Sequence, residues 1–114
     1  MKQTGKLDYL ELPAAHGRLD SVKAFYSAAF SWSFTDYGPT YSAFEEGLEG
    51  GFQADAAEVA AKPLPILYSE KLEETLLAVT NAGGTIVKPI FSFPGGRRFH
   101  FLDPAGNELA VWGD

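Results

Sequence analysis

Few residues in this chain could do chemistry. His100 with Glu11 and Glu108 is one imidazole and two carboxylates, a donor set able to hold Zn, Fe or Mn. Without a metal, His100 and Glu108 could pass a proton as an acid/base pair. Pro94-Gly95-Gly96-Arg97-Arg98 joins glycines, whose backbone N–H groups can converge on an anion, to two guanidinium groups that grip oxyanions. Its spacing matches neither a P-loop nor a dinucleotide fingerprint, and the plainer reading is a mobile loop at a cavity mouth. Tyr9, Tyr68 and Trp112 are flat apolar surfaces with a polar tip, suited to wall a ligand. The cysteine count is 0, which excludes disulfides, thiolate metal sites and cysteine nucleophiles. No nucleophile with an oxyanion-donor set is visible.

Those residues must be positioned, and the stretch from Phe93 to Trp112 does most of it. Asp103-Pro104-Ala105-Gly106 suits a type I turn followed by a left-handed glycine, because Pro pre-sets φ and Gly accepts αL. Such a turn closes a hairpin with a G1 bulge. Placing Leu102 opposite Glu108 then pairs Phe101 with Leu109, His100 with Ala110, Phe99 with Val111 and Arg98 with Trp112. Side chains alternate faces along a strand. One face carries Phe99, Phe101, Leu109 and Val111 and is wholly apolar. The other carries Arg98, His100, Leu102, Glu108, Ala110 and Trp112, and is offered to water, a partner or a ligand.

The remaining elements read in order. Lys6 to Leu12 is a strand ended by Pro13. The loop from Ala14 to Arg18 holds His16. Leu19 to Phe30 is a helix whose stripe is Leu19, Val22, Phe25, Tyr26, Ala29 and Phe30, read as core, with Asp20 or Ser21 as cap. Trp32–Tyr37 and Tyr41–Glu45 are strands separated by Gly38-Pro39. Leu48–Gln53 is a glycine-rich strand whose glycines mark a bulge or a close backbone approach. Residues 54–62 form a linker. Leu64–Ser69 is a strand, and Glu70–Ala82 a helix with Leu72, Leu76 and Val79 inward and Leu77 beside them. Gly83-Gly84 stops that helix. Thr85–Phe91 is a β-branched strand. The order strand, helix, three strands therefore occurs twice, with a period of about 55 residues. Two such sheets facing each other would enclose a cleft lined by the faces that carry Tyr9 and His100.

Size and charge set the outer bounds. A chain of 114 residues, 46% hydrophobic and 14% aromatic, supports one domain or two fused half-units with a real core. The formal charge of −6 argues against unspecific nucleic-acid binding and mildly favours a cationic ligand. No apolar run approaches a membrane span and no leader is evident, so the expected location is cytoplasmic, with no membrane partner.

Four short motifs in order then carry a resemblance: Lys23-Ala24-Phe25-Tyr26, Phe30-Ser31-Trp32, Ala82-Gly83-Gly84, and Phe101-Leu102-Asp103-Pro104-Ala105-Gly106-Asn107. With the β-α-β-β-β repeat they are similar to the vicinal oxygen chelate superfamily, the group of glyoxalase I, extradiol dioxygenases and the bleomycin- and fosfomycin-resistance proteins. Ser31 departs from the pattern, where relatives have Gly. The resemblance spans the chain. It implies an α+β fold of two βαβββ modules (6–53 and 63–114) in a single domain over 1–114, forming a homodimer with an open cavity on the concave sheet. In metal-dependent members, His and Glu side chains on the first and last strand of each module hold a divalent metal. Those positions fall here on Tyr9, Gly51, Leu64 and Ala110, none of which is His, Asp or Glu, so the family metal site is expected to be lost.

The function expected on this basis is metal-free binding of a small molecule, with Tyr9, Tyr68 and Trp112 as walls and Glu11, Arg98, His100 and Glu108 as polar anchors. The resistance proteins imply a flat or cationic compound held by aromatic walls and a few charges. The alternative is a lyase, isomerase or dioxygenase of the glyoxalase type using a divalent metal displaced to His100, Glu11 and Glu108. The plainer reading of those residues is that Arg98 and Glu108 are edge charges and His100 is hydrogen-bonded in a half-buried sheet.

Overall fold

The computed structural model describes residues 2–14, 17–55, 57 and 61–114; His16 and positions 56 and 58–60 of the linker lie outside the described residues. The chain is α+β. Its elements are β1 (Leu7–Pro13), α1 (Leu19–Phe30), β2 (Thr35–Asp36), β3 (Tyr41–Glu45), β4 (Glu49–Gln53), β5 (Leu64–Tyr68), α2 (Leu72–Asn81), β6 (Thr85–Phe93), β7 (Gly96–Leu102) and β8 (Glu108–Gly113). They divide into two compact units, Tyr9–Leu64 and Pro65–Asp114, the latter taking in the N-terminal residues up to Asp8.

In the Tyr9–Leu64 unit the strands lie in the order β2-β3-β4-β1. β1 runs parallel to β4, with Leu10 opposite Gly50 and Glu11 opposite Gly51, and β3 is antiparallel to β4. Alternation then sorts the side chains. Leu12, Phe44 and Phe52 face α1 and pack with Leu19, Val22 and Tyr26. Tyr9, Glu11, Tyr41, Ala43, Glu45 and Glu49 point to the opposite face by the same register.

β1 ends at Pro13, opposite Gln53, as its sequence predicts. Three expectations need correction here. α1 begins at Leu19 with Arg18 at the N-cap and no side-chain cap bond, so Asp20 and Ser21 are not caps. The buried stripe of α1 is narrower than its period implies: Phe25 and Phe30 are 58% and 62% exposed. One residue is 100° of helix, so Phe25 falls beside Tyr26 rather than under it, with ring centroids 5.0 Å apart at 88°. Trp32–Tyr37 is a strand only at Thr35–Asp36. Ser31 closes α1 in the left-handed region at φ 61°, and Trp32 then stacks on Tyr26 at 4.6 Å instead of joining the sheet.

In the second unit the order is β5-β8-β7-β6, with β5 parallel to β8 and both other pairings antiparallel. The β7–β8 hairpin has the register read from its turn, Leu102 opposite Glu108 through Arg98 opposite Trp112. Asp103 builds that turn: its Oδ1 accepts the N–H groups of Ala105 and Asn107 at 2.8 and 2.9 Å, and Gly106 is left-handed at φ 85°. The Asn107 side-chain amide donates to Oδ2 at 2.9 Å, and that bond first, then the backbone N–H groups, hold the Asp103 carboxyl below the usual carboxylate range. Phe99 and Val111 pack with Leu72, Leu76, Val79, Ile86 and Phe101. Leu77 is 60% exposed and takes no part in the core.

Pro94 and Gly95 form a tight turn between β6 and β7, and Arg97 and Arg98 lie within β7. The stretch is therefore a hairpin, not an anion-binding or mobile loop, because the β7–β6 pairing continues to Phe93 opposite Gly96. Arg97 forms a close ion pair with Glu73 and donates to the Asp114 carbonyl oxygen at 2.7 Å. Register shifts on either side of Lys88 accompany Pro89, which has no N–H for the ladder.

Candidate functional site

The Tyr9–Leu64 unit holds a cavity of about 440 Å³. Its aromatic lining is Tyr9, Phe34, Tyr37, Tyr41 and Phe44, and its acidic lining is Glu45, Glu46 and Glu49. The sheet supplies Tyr9 from β1, Tyr41 and Glu45 from β3 and Glu49 from β4, because the two-residue period puts them on one face. Phe34 comes from the segment that Ser31 turns away from the sheet. Glu46 is fixed from behind, its Oε2 accepting the Ser33 N–H at 3.1 Å.

Two tyrosine hydroxyls meet in this cavity wall. The Tyr9 and Tyr41 oxygens are 2.6 Å apart in a hydrogen bond. They sit over Gly51, where a Cβ would overlap both hydroxyl oxygens. Gly50 is equally constrained, since a Cβ there would lie 2.5 Å from Cζ of Phe44. The paired glycines thus mark the close approach that the sequence pattern expects. Burial pushes the Tyr9 phenol above its ordinary pKa; the Tyr41 hydrogen bond opposes this, and the negative charges of Glu11 and Glu49 add to the rise.

The second unit gathers another group. His100 is 1% exposed, and its Nδ1 lies 2.8 Å from Oε2 of Glu108. A carboxylate only accepts, so Nδ1 carries the proton in that bond. The Nε2 atom is buried and has no hydrogen-bond partner among the described residues. Burial holds the imidazole below its ordinary pKa; the bond to Glu108 opposes that shift, and the cations Arg98 and Lys88 add to it. His100 packs on Phe91 at 5.7 Å, and the Arg98 guanidinium lies 5.5 Å from both the Phe91 and Phe93 centroids. Arg98 is 7% exposed, so it is a buried cation under aromatic cover rather than an edge charge. Tyr68 meets Trp112 edge-on at 5.2 Å. The indole N–H of Trp112 donates to Asp8 Oδ2 at 2.8 Å, and the Lys2 ammonium stands 5.2 Å from the Trp112 ring.

The residues marked from sequence are therefore distributed. Tyr9 lines the cavity. Glu11 is buried on β1. Arg98 and His100 are buried, the exposed Glu108 is hydrogen-bonded to His100, and Tyr68 and Trp112 form a ring pair. Tyr41, Tyr37, Phe34, Glu45, Glu46 and Glu49 were not singled out. Alternation from Tyr41 through Glu45 was the available signal for two of them.

A divalent metal does not fit the four positions where the resemblance would place its ligands. The Tyr9 hydroxyl is hydrogen-bonded to Tyr41 and its pKa is raised. Gly51 has no side chain, and tyrosine oxygens fill the space above it. Leu64 and Ala110 are buried apolar residues. No group of three or more His, Cys, Asp or Glu side chains able to hold a metal occurs among the described residues. A metal needs such donors at a common point, and His100 spends Nδ1 on Glu108.

No protein-family model and no curated protein matches the sequence. Solved structures do match. The NAD-dependent benzaldehyde dehydrogenase from Legionella pneumophila superposes with a TM-score of 0.73 at 15% identity, over 91% of this chain and 97% of that one. The methylmalonyl-CoA epimerase from Mycobacterium tuberculosis gives 0.71 at 12% identity, over 98% and 89%. A glyoxalase/bleomycin resistance protein/dioxygenase superfamily member from Vibrio splendidus 12B01 gives 0.69 at 13% identity, over 96% and 100%. The names span different reactions, as expected when one scaffold hosts many sites. At these identities the likeness is one of fold: the chain has the fold of the glyoxalase/bleomycin resistance/dioxygenase superfamily.

Proposed function

We propose that this protein binds a small organic molecule without a metal, and that the ligand enters the tyrosine-lined cavity of the Tyr9–Leu64 unit. The observation that carries this reading is the cavity itself: about 440 Å³, within the range of small-molecule sites, with five aromatic walls and polar groups at defined places. The family's concave-sheet cavity is its counterpart, and we read the two β-α-β-β-β stretches as the two modules of that fold, in a homodimer. His100 and Glu108 play a structural part in this account, since the Nε2 atom that would exchange a proton with a substrate is buried.

The test is a thermal-shift screen of organic compounds on protein dialysed against EDTA, followed by calorimetry. Stabilising ligands whose affinity is unchanged by added Zn, Mn or Fe, and is lost in Tyr37→Ala, are expected. Binding that requires a metal, or that survives Tyr37→Ala unchanged, would refute the proposal.

A further inference from the structure

Resting on that reading, we infer that the ligand of the tyrosine-lined cavity is a ring compound carrying a hydroxyl group, and that Tyr9 selects it by hydrogen-bonding to that hydroxyl. The observation that carries this is the phenol pair over Gly51. Tyr9 stands on β1 and Tyr41 on β3, the two strands that flank β4. Their side chains meet across β4 because Gly51 has no side chain, and a Cβ there would overlap both oxygens. Each phenol is thus held from its own strand, and a ligand finds the oxygens already in position. Phe34, Tyr37 and Phe44 complete the aromatic lining, with faces on which a flat ring packs.

Counting the bonds of one oxygen gives the class of ligand. A phenol has one proton to donate and two lone pairs with which to accept. The 2.6 Å bond to Tyr41 engages one of these three on Tyr9, and either oxygen can be its donor. If Tyr41 donates, Tyr9 keeps its proton and one lone pair. If Tyr9 donates, it keeps two lone pairs. A ligand hydroxyl serves both cases, because it donates and accepts alike. An ether or a ketone only accepts, and an ammonium only donates. Burial holds the Tyr9 phenol above its ordinary pKa, so the group offered is a neutral hydroxyl and not a phenolate. A hydroxyl already in a hydrogen bond is polarised by it, which strengthens its next bond.

The probes are 4-methylphenol and 4-fluorotoluene, which share a shape and differ in the hydroxyl. Calorimetry on the full chain near neutral pH, where both are uncharged, is expected to show the phenol binding about fivefold tighter. That margin should disappear in Tyr9→Phe and persist in Tyr41→Phe, which leaves the Tyr9 oxygen in place. Circular dichroism checks that both variants fold, and the margin in the wild type is a test that needs neither. Equal affinity for the two probes would overturn this inference and leave binding by the aromatic walls standing. A margin that survives Tyr9→Phe would overturn it as well. So would the absence of binding by either probe at millimolar concentration, and with no hit in the wider screen the binding reading falls along with it.

Discussion

Burial sets the protonation of His100. The folded protein keeps this imidazole neutral more readily than the unfolded chain does, because charging it would place a cation in the interior beside Arg98 and Lys88. Its folded pKa therefore lies below the unfolded value of about 6.5. In the window between them the unfolded chain binds more protons, so this contribution is complete above the unfolded pKa and declines as pH falls toward the folded one. Urea denaturation as a function of pH should show that decline below about pH 6.5 in the wild type and a flatter profile in His100→Gln. Gly51 makes the opposite kind of demand, one of space. Gly51→Ala puts a methyl where two hydroxyl oxygens meet, and should cost about 1–3 kcal/mol in chemical denaturation while weakening any ligand of the tyrosine cavity.

Among the elements, α1 shows what a single residue does to the chain that follows. Ser31 sits in the left-handed region, its N–H donating to the Ser27 carbonyl oxygen at 3.0 Å, and Trp32 donates to that of Tyr26 at 3.3 Å. Glycine adopts that conformation without a Cβ penalty, so Ser31→Gly should stabilise the protein by about 1 kcal/mol in a denaturant melt. The resemblance already pointed to this position. It could not show that the turn redirects Trp32 and Phe34 into the core and so shapes a wall of the cavity. Aromatic residues favour strands only where packing rewards them there, and here Tyr26 and Phe44 offered Trp32 a better surface. By contrast, the β7–β8 hairpin was fully legible, because Asp103-Pro104-Ala105-Gly106 fixes the register and the register fixes every face. Its mixed face was legible in composition but not in burial: nothing local in the sequence marks Arg98 and His100 as interior residues. The cavity's acidic rim escaped for a different reason. Glu45, Glu46 and Glu49 flank a turn, where charged residues ordinarily mean nothing more than solvent.

At the scale of the whole chain, charge and fold point the same way. The net −6 favours encounter with cations, and the described helices include none long and apolar enough to cross a membrane. The fold is a scaffold on which many chemistries occur, and the positions where the resemblance would place metal donors carry Tyr, Gly, Leu and Ala. The placement of its two tryptophans adds something practical. Trp32 belongs to the Tyr9–Leu64 unit and lies 4.9 and 6.3 Å from Phe44 and Phe34, both of which line the cavity. Trp112 belongs to the other unit and is tied to Asp8. The protein thus carries an optical reporter in each half without any label. In Trp112→Phe, titration with a ligand of the tyrosine-lined cavity should change the remaining Trp32 fluorescence saturably, so that light from one indole reports occupancy of the site its neighbours wall.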